Sequence, residues 1–167
     1  MARTLLIESL FQLHQWQLWL EERAEVWPRL PSPLAERCRA AFVEQEGNPS
    51  RLQRQVVRTL TALEMRPREE VRTSQGYSLD AVVTCGGCDV AVEVDGPSHF
   101  VGRVPTGATA LKRRQLRAAG WALVSVPYWE WDDLDRDDAQ KRAYLVRGLE
   151  AAVATMAPRH EIGRAHV

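Results

Sequence analysis

Apolar residues in the first 66 positions recur at three- and four-residue spacings, the period of an α-helix. The first stripe spans residues 3–27 and comprises Leu6, Leu10, Leu13 and Leu20. A proline-rich break follows, and Ser32-Pro33 has the pattern of an N-cap followed by a first-turn proline, so a second helix is predicted from there to about Glu46. A third stripe comprises Leu52, Val56, Leu60 and Leu63. We therefore predict that residues 1–66 form a helical N-terminal segment that packs on the rest of the chain.

The pattern then changes to period two, which predicts β-strands. Two alternating runs lie on either side of Cys85-Gly-Gly-Cys88, and adjacent glycines favour the tight turn of a β-hairpin. Because a turn centred on the glycines fixes the register, six pairs follow. The apolar face would carry Val83–Val90, Ala81–Val92 and Leu79–Val94, and the other face Val82–Ala91, Asp80–Glu93 and Ser78–Asp95.

A helix of roughly residues 108–119 comes next, with Thr106 or Thr109 as its cap and Gly120 at its end. A buried strand, Trp121–Pro127, follows it, and a strand–helix–strand order implies a parallel neighbour. A last helix is predicted over about 138–156. The fold class is α/β, with a mixed central sheet flanked by helices.

Composition narrows the class of protein. The chain has 167 residues, with 22 basic against 22 acidic side chains, which excludes a strongly basic nucleic-acid tail and a disordered acidic chain. No apolar run approaches the ~20 residues that span a bilayer, so no membrane partner is expected. Three cysteines are too few for a zinc knuckle with two ligand pairs and argue against a secreted disulfide framework. Residues 158–167 carry no periodic signal and are expected to be a disordered tail or a cloning remnant.

Three carboxylates are the first candidate site. The predicted hairpin register puts Asp80, Glu93 and Asp95 on one face, and like charges opposite each other destabilise a sheet. A divalent cation held by carboxylate oxygens would compensate, which makes these residues candidate metal ligands. Two alternatives stay open: the face is exposed to solvent, or nearby arginines neutralise it.

Basic and aromatic residues after the hairpin are the second candidate site. His99 follows the carboxylates within a few residues, and the next helix carries Lys112, Arg113, Arg114 and Arg117. These cations either meet the carboxylates or form a solvated basic face. Trp129, in the aromatic run after the predicted strand Trp121–Pro127, either stacks on RNA bases or covers the sheet edge. The acidic run that follows is expected to be a solvated helix start.

The segment from Tyr77 to Leu134 resembles the RAP domain, an RNA-binding domain named for its abundance in apicomplexans. The matching motifs are Tyr77-Ser-Leu-Asp80, Val92-Glu-Val-Asp-Gly-Pro-Ser-His-Phe100, Thr106-Gly-Ala-Thr109, Leu111-Lys-Arg-Arg-Gln-Leu116, Gly120-Trp121 and Val126-Pro-Tyr-Trp-Glu130. The resemblance implies a RAP domain over residues 67–157, at the end of a larger mitochondrial or chloroplast protein that often carries helical repeats. It also implies RNA as partner and a role in organellar RNA processing or stability.

The RAP domain in turn resembles the PD-(D/E)xK restriction-endonuclease fold, particularly its very-short-patch-repair branch. By that likeness Asp80, Glu93 and Asp95 would hold Mg²⁺ or Mn²⁺. Two departures matter. The nuclease pattern has a lysine two residues after the second acid, where this chain has Asp95, and the repair branch tends to carry an acid three residues before the basic helix position, where this chain has Thr109. Lys112 or His99 could replace the missing lysine, so the catalytic candidates are Asp80, Glu93, Asp95 and Lys112.

Three functions follow from these features. The first is an RNA-binding module whose contacts come from His99, Lys112, Arg113, Arg114, Arg117 and Trp129. The second is an active, metal-dependent endoribonuclease. The third is a protein-interaction domain on a degenerate nuclease scaffold.

Overall fold

The computed structural model describes residues 2–23, 28–44, 49–134 and 136–156. The helices are α1 (Ala2–Glu22), α2 (Ser32–Val43), α3 (Arg51–Ala62), α4 (Gly107–Ala118), α5 (Tyr128–Asp133) and α6 (Asp138–Met156). The strands are β1 (Arg68–Arg72), β2 (Ser78–Cys85), β3 (Cys88–Asp95), β4 (Phe100–Val101), β5 (Val104–Pro105) and β6 (Ala122–Pro127). A single 3-10 turn, Pro97–His99, joins β3 to β4. The predicted α/β fold class is confirmed.

Four of the strands form one mixed sheet in the order β1-β2-β3-β6. The pairs β1–β2 and β2–β3 are antiparallel, whereas β6 runs parallel to β3, as the crossover through α4 predicted. Sequence analysis missed β1. Its residues, Arg-Glu-Glu-Val-Arg, are charged and mostly exposed, so this edge strand carries no alternating apolar signal.

The hairpin register is the predicted one over its inner part. Val83 pairs with Val90 and Ala81 with Val92 in the strand register. Cys85 and Cys88 are register partners next to the turn, and both thiols are free. Gly86 and Gly87 have φ values of 57° and 78°, as the two positions of a primed turn require. The expected Leu79–Val94, Asp80–Glu93 and Ser78–Asp95 pairs are wrong, because the β2–β3 pairing ends at Ala81–Val92. Leu79 packs with a different cluster.

Helices cover both faces of the sheet. On one face, the side chains that pack on the strands come from α3, α5 and α6: Val56, Leu60, Trp131, Leu145 and Leu149. On the other face they come from α1, α2 and α4: Leu18, Phe42 and Leu116. Alternate residues of β2 and β3 supply the two cores, so the N-terminal helices are part of both. The domain boundary at residue 66 stays a prediction.

The helix ends follow the expected capping chemistry in part. Ser50 and Thr106 accept backbone hydrogen bonds at the starts of α3 and α4. Gly120 has a φ of 87° just after α4, as a glycine at a helix end commonly does. The cap predicted for α2 is wrong: Pro31 holds that position, and the Ser32 hydroxyl donates instead to Glu36.

Two further expectations concern the chain ends. The buried face of α1 differs in part from the predicted apolar stripe. The buried side chains include His14, Leu18 and Leu20, whereas Leu6, which was predicted to be part of the stripe, is exposed. The predicted ends of α1 and α2, as well as residues 158–167, lie outside the described residues. No described helix is both long and apolar enough to cross a membrane.

We expect Leu145→Ala to lower the free energy of unfolding by about 2–5 kcal/mol, because it leaves a cavity between α6 and the sheet. Leu145 is fully buried there. Urea denaturation measures the change. Leu6→Ala is the matched control, since Leu6 is 55% exposed and its truncation should change stability by less than about 0.5 kcal/mol. Equal losses in the two variants would contradict the described core.

Candidate functional site

The candidate site is a cleft of about 300 Å³ at the end of β3, beside the start of α4. Its polar lining includes Glu93, Asp95, His99, Lys112 and Arg113. The position follows from topology: the parallel strands β3 and β6 both end here, and α4 crosses between them. Ligands of open α/β sheets commonly bind at such strand ends.

Glu93 and Lys112 form a buried ion pair in the cleft. The Lys112 Nζ donates to Glu93 Oε2 and, at 2.8 Å, to the Ser78 carbonyl oxygen. Burial raises the pKa of Glu93 to about 7, and the lysine charge opposes that rise without cancelling it. The second oxygen, Glu93 Oε1, is buried without a hydrogen-bond partner in the described part of the chain.

Asp95 is the centre of a second charge network. The Arg113 guanidinium donates to Asp95 Oδ2 at 2.6 Å and to Ser125 Oγ at 2.6 Å, and Ser125 itself donates to Asp95 Oδ2 at 2.7 Å. His99 Nδ1 lies 3.2 Å from Asp95 Oδ1. Burial alone would raise the Asp95 pKa, but the bonds from His99, Ser125 and Arg113 outweigh it and hold the pKa at about 2. Asp95 in turn raises the pKa of His99.

Asp80 holds the point where the hairpin ladder stops. Its Oδ2 accepts a hydrogen bond of 2.7 Å from the Val94 backbone N–H, so the side chain takes the place of a ladder carbonyl. Burial raises the Asp80 pKa, while the Val94 bond and the Lys112 charge oppose the rise. The third carboxylate therefore has a structural contact of its own.

These contacts bear on the predicted metal site. Protein donors occupy Glu93 Oε2 and both oxygens of Asp95. Within the ranges that the structure describes, no three His, Cys, Asp or Glu side chains are grouped so that they could hold a metal ion. The arrangement fits carboxylates neutralised by basic residues, one of the alternatives left open by the sequence. Mg²⁺ or Mn²⁺ binding by Asp80, Glu93 and Asp95 stays a prediction.

The predicted RNA-binding residues fall into two groups. Lys112 and Arg113 point into the cleft and pair with its carboxylates. Arg114 and Arg117 lie on the exposed side of α4, where Arg114 makes one ion pair of 3.4 Å with Glu22. His99 is half-exposed at the cleft.

Trp129 is half-buried rather than open to solvent. It packs edge-on against Phe100, with ring centroids 4.4 Å apart, and against Tyr128 at 5.2 Å. The Arg103 guanidinium lies 5.8 Å from the Trp129 ring centroid.

Sequence analysis missed three side chains that shape this region: Phe100, Arg103 and Ser125. Ser125 carried a signal, because it is the one polar residue of the buried strand β6. Arg103 carried a different signal, because it lies in a segment whose charged residues are all basic. Residues 96–129 contain no aspartate or glutamate, although acids and bases balance over the whole chain. This acid-free segment contains His99, Lys112 and Arg113 of the candidate site, whereas Arg72, which also lines the cleft, comes from β1.

Residues 92–147 match the family model of the RAP domain. The match covers about a third of the chain and includes both charge networks, the acid-free segment and most of α6. It confirms the resemblance to the RAP domain over these residues. The relation to the PD-(D/E)xK nuclease fold stays a prediction.

Curated proteins are similar to the same part of the chain. A RAP domain-containing protein, chloroplastic, of Oryza sativa subsp. japonica is 46% identical over 79 residues, which is 46% of this chain and 12% of the relative. FAST kinase domain-containing protein 4 of Rattus norvegicus is 48% identical over 48 residues, 29% of this chain and 8% of the relative. The mouse protein of the same name is 46% identical over 48 residues. The matched segments span only about an eighth or less of these relatives.

We expect the contribution of Glu93 to the stability of the protein to fall as the pH rises from about 4.5 to 7, because Glu93 binds its proton more tightly in the folded chain than in the unfolded one. Glu93→Gln removes that proton linkage. The stability of the parent relative to Glu93→Gln should therefore fall by about 2 kcal/mol across the window. Urea titrations at several pH values measure it, with exposed Glu69→Gln as the control. Parallel profiles for parent and Glu93→Gln would contradict the raised pKa.

We expect Asp95→Asn to cost about 3–5 kcal/mol at pH 7, because it leaves the largely buried Arg113 without its carboxylate partner. The folded-state pKa of Asp95 lies below its ordinary value, so the stabilisation is complete above about pH 4 and is lost as the pH falls towards 2. The gap between variant and parent should therefore narrow in urea titrations below pH 4. Asp89→Asn, which breaks the exposed pair with Arg68, is the control and should cost much less. A pH-independent loss in Asp95→Asn would overturn the assignment.

Proposed function

We propose that this chain is an RNA-binding RAP domain that acts in organellar RNA processing or stability as part of a longer protein. The observation that supports it best is the acid-free segment, residues 96–129, in which each charged side chain is basic. A polyanion can approach such a surface without repulsion, and phosphate contacts supply much of the affinity for nucleic acid. The match to the RAP domain covers the whole segment.

The exposed cations are the better candidates for phosphate contacts. Lys112 and Arg113 neutralise Glu93 and Asp95, so an RNA phosphate would have to compete with a buried carboxylate for either of them. Arg114 and Arg117 project from the exposed side of α4, and half-exposed His99 gains positive charge more readily than an isolated histidine. We infer that these three residues carry the electrostatic part of binding.

The proposed organelle follows from the relatives. One is described as chloroplastic, and all are far longer than the segment matched here. A chloroplast or mitochondrial protein in which the RAP domain accompanies other regions, such as helical repeats, agrees with both observations. RNA specificity would then depend on those regions as well as on this domain.

A metal-dependent endoribonuclease is the second candidate, and one observation favours it. Lys112 meets Glu93 in space, which supplies the ammonium that the nuclease pattern has two residues after its second acid. Glu93 Oε1 is also buried without a partner among the described residues. Because protein side chains bind the other Glu93 oxygen and both oxygens of Asp95, a metal ion held by those atoms would have to displace at least one of them.

One experiment separates the candidates. Labelled single-stranded RNA is incubated with the parent protein in Mg²⁺, Mn²⁺ or EDTA, and both binding and cleavage are measured. We expect metal-independent binding without cleavage. Cleavage that needs metal and is lost in Asp80→Asn would favour the endoribonuclease. If the protein neither binds nor cleaves the RNA, that result would contradict RNA binding and favour a protein-interaction domain.

A salt titration tests which residues contact phosphate. We expect Arg114→Gln combined with Arg117→Gln to weaken RNA binding and to reduce the slope of log affinity against log salt by about 1–2. The reason is that each phosphate contact releases counterions when it forms, so a variant with fewer contacts releases fewer of them. Fluorescence anisotropy gives both quantities. Arg37→Gln combined with Arg147→Gln removes the same charge from exposed sites on α2 and α6 and should change the slope less. Equal slopes for the two double variants would move the binding face away from α4.

A further inference from the structure

The β4–β5 hairpin, residues 100–105, exposes two apolar side chains beside the cleft. Val101 is 75% exposed and Val104 is 68% exposed, the highest values among the large exposed hydrophobic residues of the described chain. They pair directly across the hairpin. Burying such a pair against a partner is favourable, because apolar surface leaves water.

The hairpin is held firmly at its base. Phe100 pairs with Pro105, and the Thr106 N–H donates to the His99 carbonyl oxygen at 2.9 Å. Gly102 takes a φ of 63° at the tip, which lets the chain turn within two residues. Phe100 then packs edge-on against Trp129. The exposed valines therefore project from a braced element and lose little freedom when a partner binds.

The charges around the hairpin select the kind of partner. Arg103 lies between the two valines in sequence and above the Trp129 ring, and His99 lies at the hairpin base on the rim of the cleft. The Arg113 guanidinium lies 5.7 Å from the Phe100 ring centroid. The nearest acids in sequence are Asp95, which is buried and paired, and Glu130. Between Asp95 and Glu130 every charged residue is basic, so the hairpin combines apolar contact area with basic neighbours in sequence.

A ligand that suits this surface needs a flat apolar face and a negative charge within a few ångströms of each other. An unpaired nucleotide has both, because its base stacks on apolar or aromatic side chains while its phosphate meets a cation. Bases inside a duplex hide their faces. We propose that the β4–β5 hairpin is a contact element for unpaired RNA bases, in which Val101 and Val104 pack against the bases and Arg103 binds the adjacent phosphate. This inference rests on the proposed RNA-binding function and assigns it to residues outside the carboxylate cleft.

The test compares two variants on two RNAs of the same sequence, one single-stranded and one fully duplex. We expect Val101→Ser combined with Val104→Ser to weaken binding of the single strand about five- to tenfold, with an unchanged salt slope and unchanged duplex binding. Arg103→Gln should weaken it as well and reduce the salt slope by about 1, the mark of one lost phosphate contact. Fluorescence anisotropy measures affinity over a range of salt concentrations, and circular dichroism checks that each variant folds.

Matched controls come from elsewhere on the surface. Leu6→Ser combined with Ile7→Ser removes two exposed apolar side chains from α1, and Arg147→Gln removes an exposed arginine from α6. Both should bind the single strand as the parent does. As a second readout, photo-crosslinking to RNA that contains 4-thiouridine should label the peptide of residues 99–105.

The outcomes separate the two proposals. If the parent binds RNA and the valine double variant binds the single strand equally well, the hairpin proposal is overturned while RNA binding stands, and a protein partner becomes the better occupant. An equal loss on single strand and duplex would also overturn it, because base faces would then not be what the valines contact. If the parent binds neither RNA, the proposed function fails and the hairpin proposal fails with it.

Discussion

The neutralisation of two buried carboxylates by one helix organises this protein. Glu93 and Asp95 lie two residues apart on β3 and are almost completely buried. Successive basic residues of α4, Lys112 and Arg113, each pair with one of them. Burying an unpaired carboxylate costs several kcal/mol, so α4 must hold its position across the sheet for the fold to form. The crossover between β3 and β6 and the cleft beside it both depend on these two contacts.

The same contacts determine which charges remain for a ligand. Since Lys112 and Arg113 are paired inside the cleft, the positive potential that a polyanion meets comes from the outer side of α4 and from the β4–β5 hairpin. The chain as a whole is neutral, with 22 basic and 22 acidic residues. Charge is separated along the sequence, because acids are missing between Asp95 and Glu130. Local composition is thus more informative here than the total.

The contacts of the three carboxylates also bear on the relation to nuclease sites. The acids expected of such a site are present and close together, and a lysine reaches the second one from a different element. In the described arrangement, however, the acids are bound by protein donors: Lys112 for Glu93, Arg113 for Asp95 and the Val94 backbone for Asp80. A catalytic metal centre in such a site would have to displace these internal contacts. This favours the proposed RNA binding over the proposed cleavage.

The sequence by itself determined the local features of the protein. Hydrophobic periodicity located α3, α6 and the β2–β3 hairpin, the cap and Gly120 located α4, and Gly86-Gly87 set the inner register, because each depends on residues close together in the chain. It also singled out Asp80, Glu93 and Asp95 and the basic residues of α4, but it left open whether they meet. Only the tertiary structure decided which cation meets which acid, because these pairs join residues 18 or 19 positions apart through the angle at which α4 crosses the sheet. It likewise decided that Leu79 packs away from Val94, that β1 completes the sheet, and that Phe100 braces Trp129, since none of these contacts leaves a periodic or local signal.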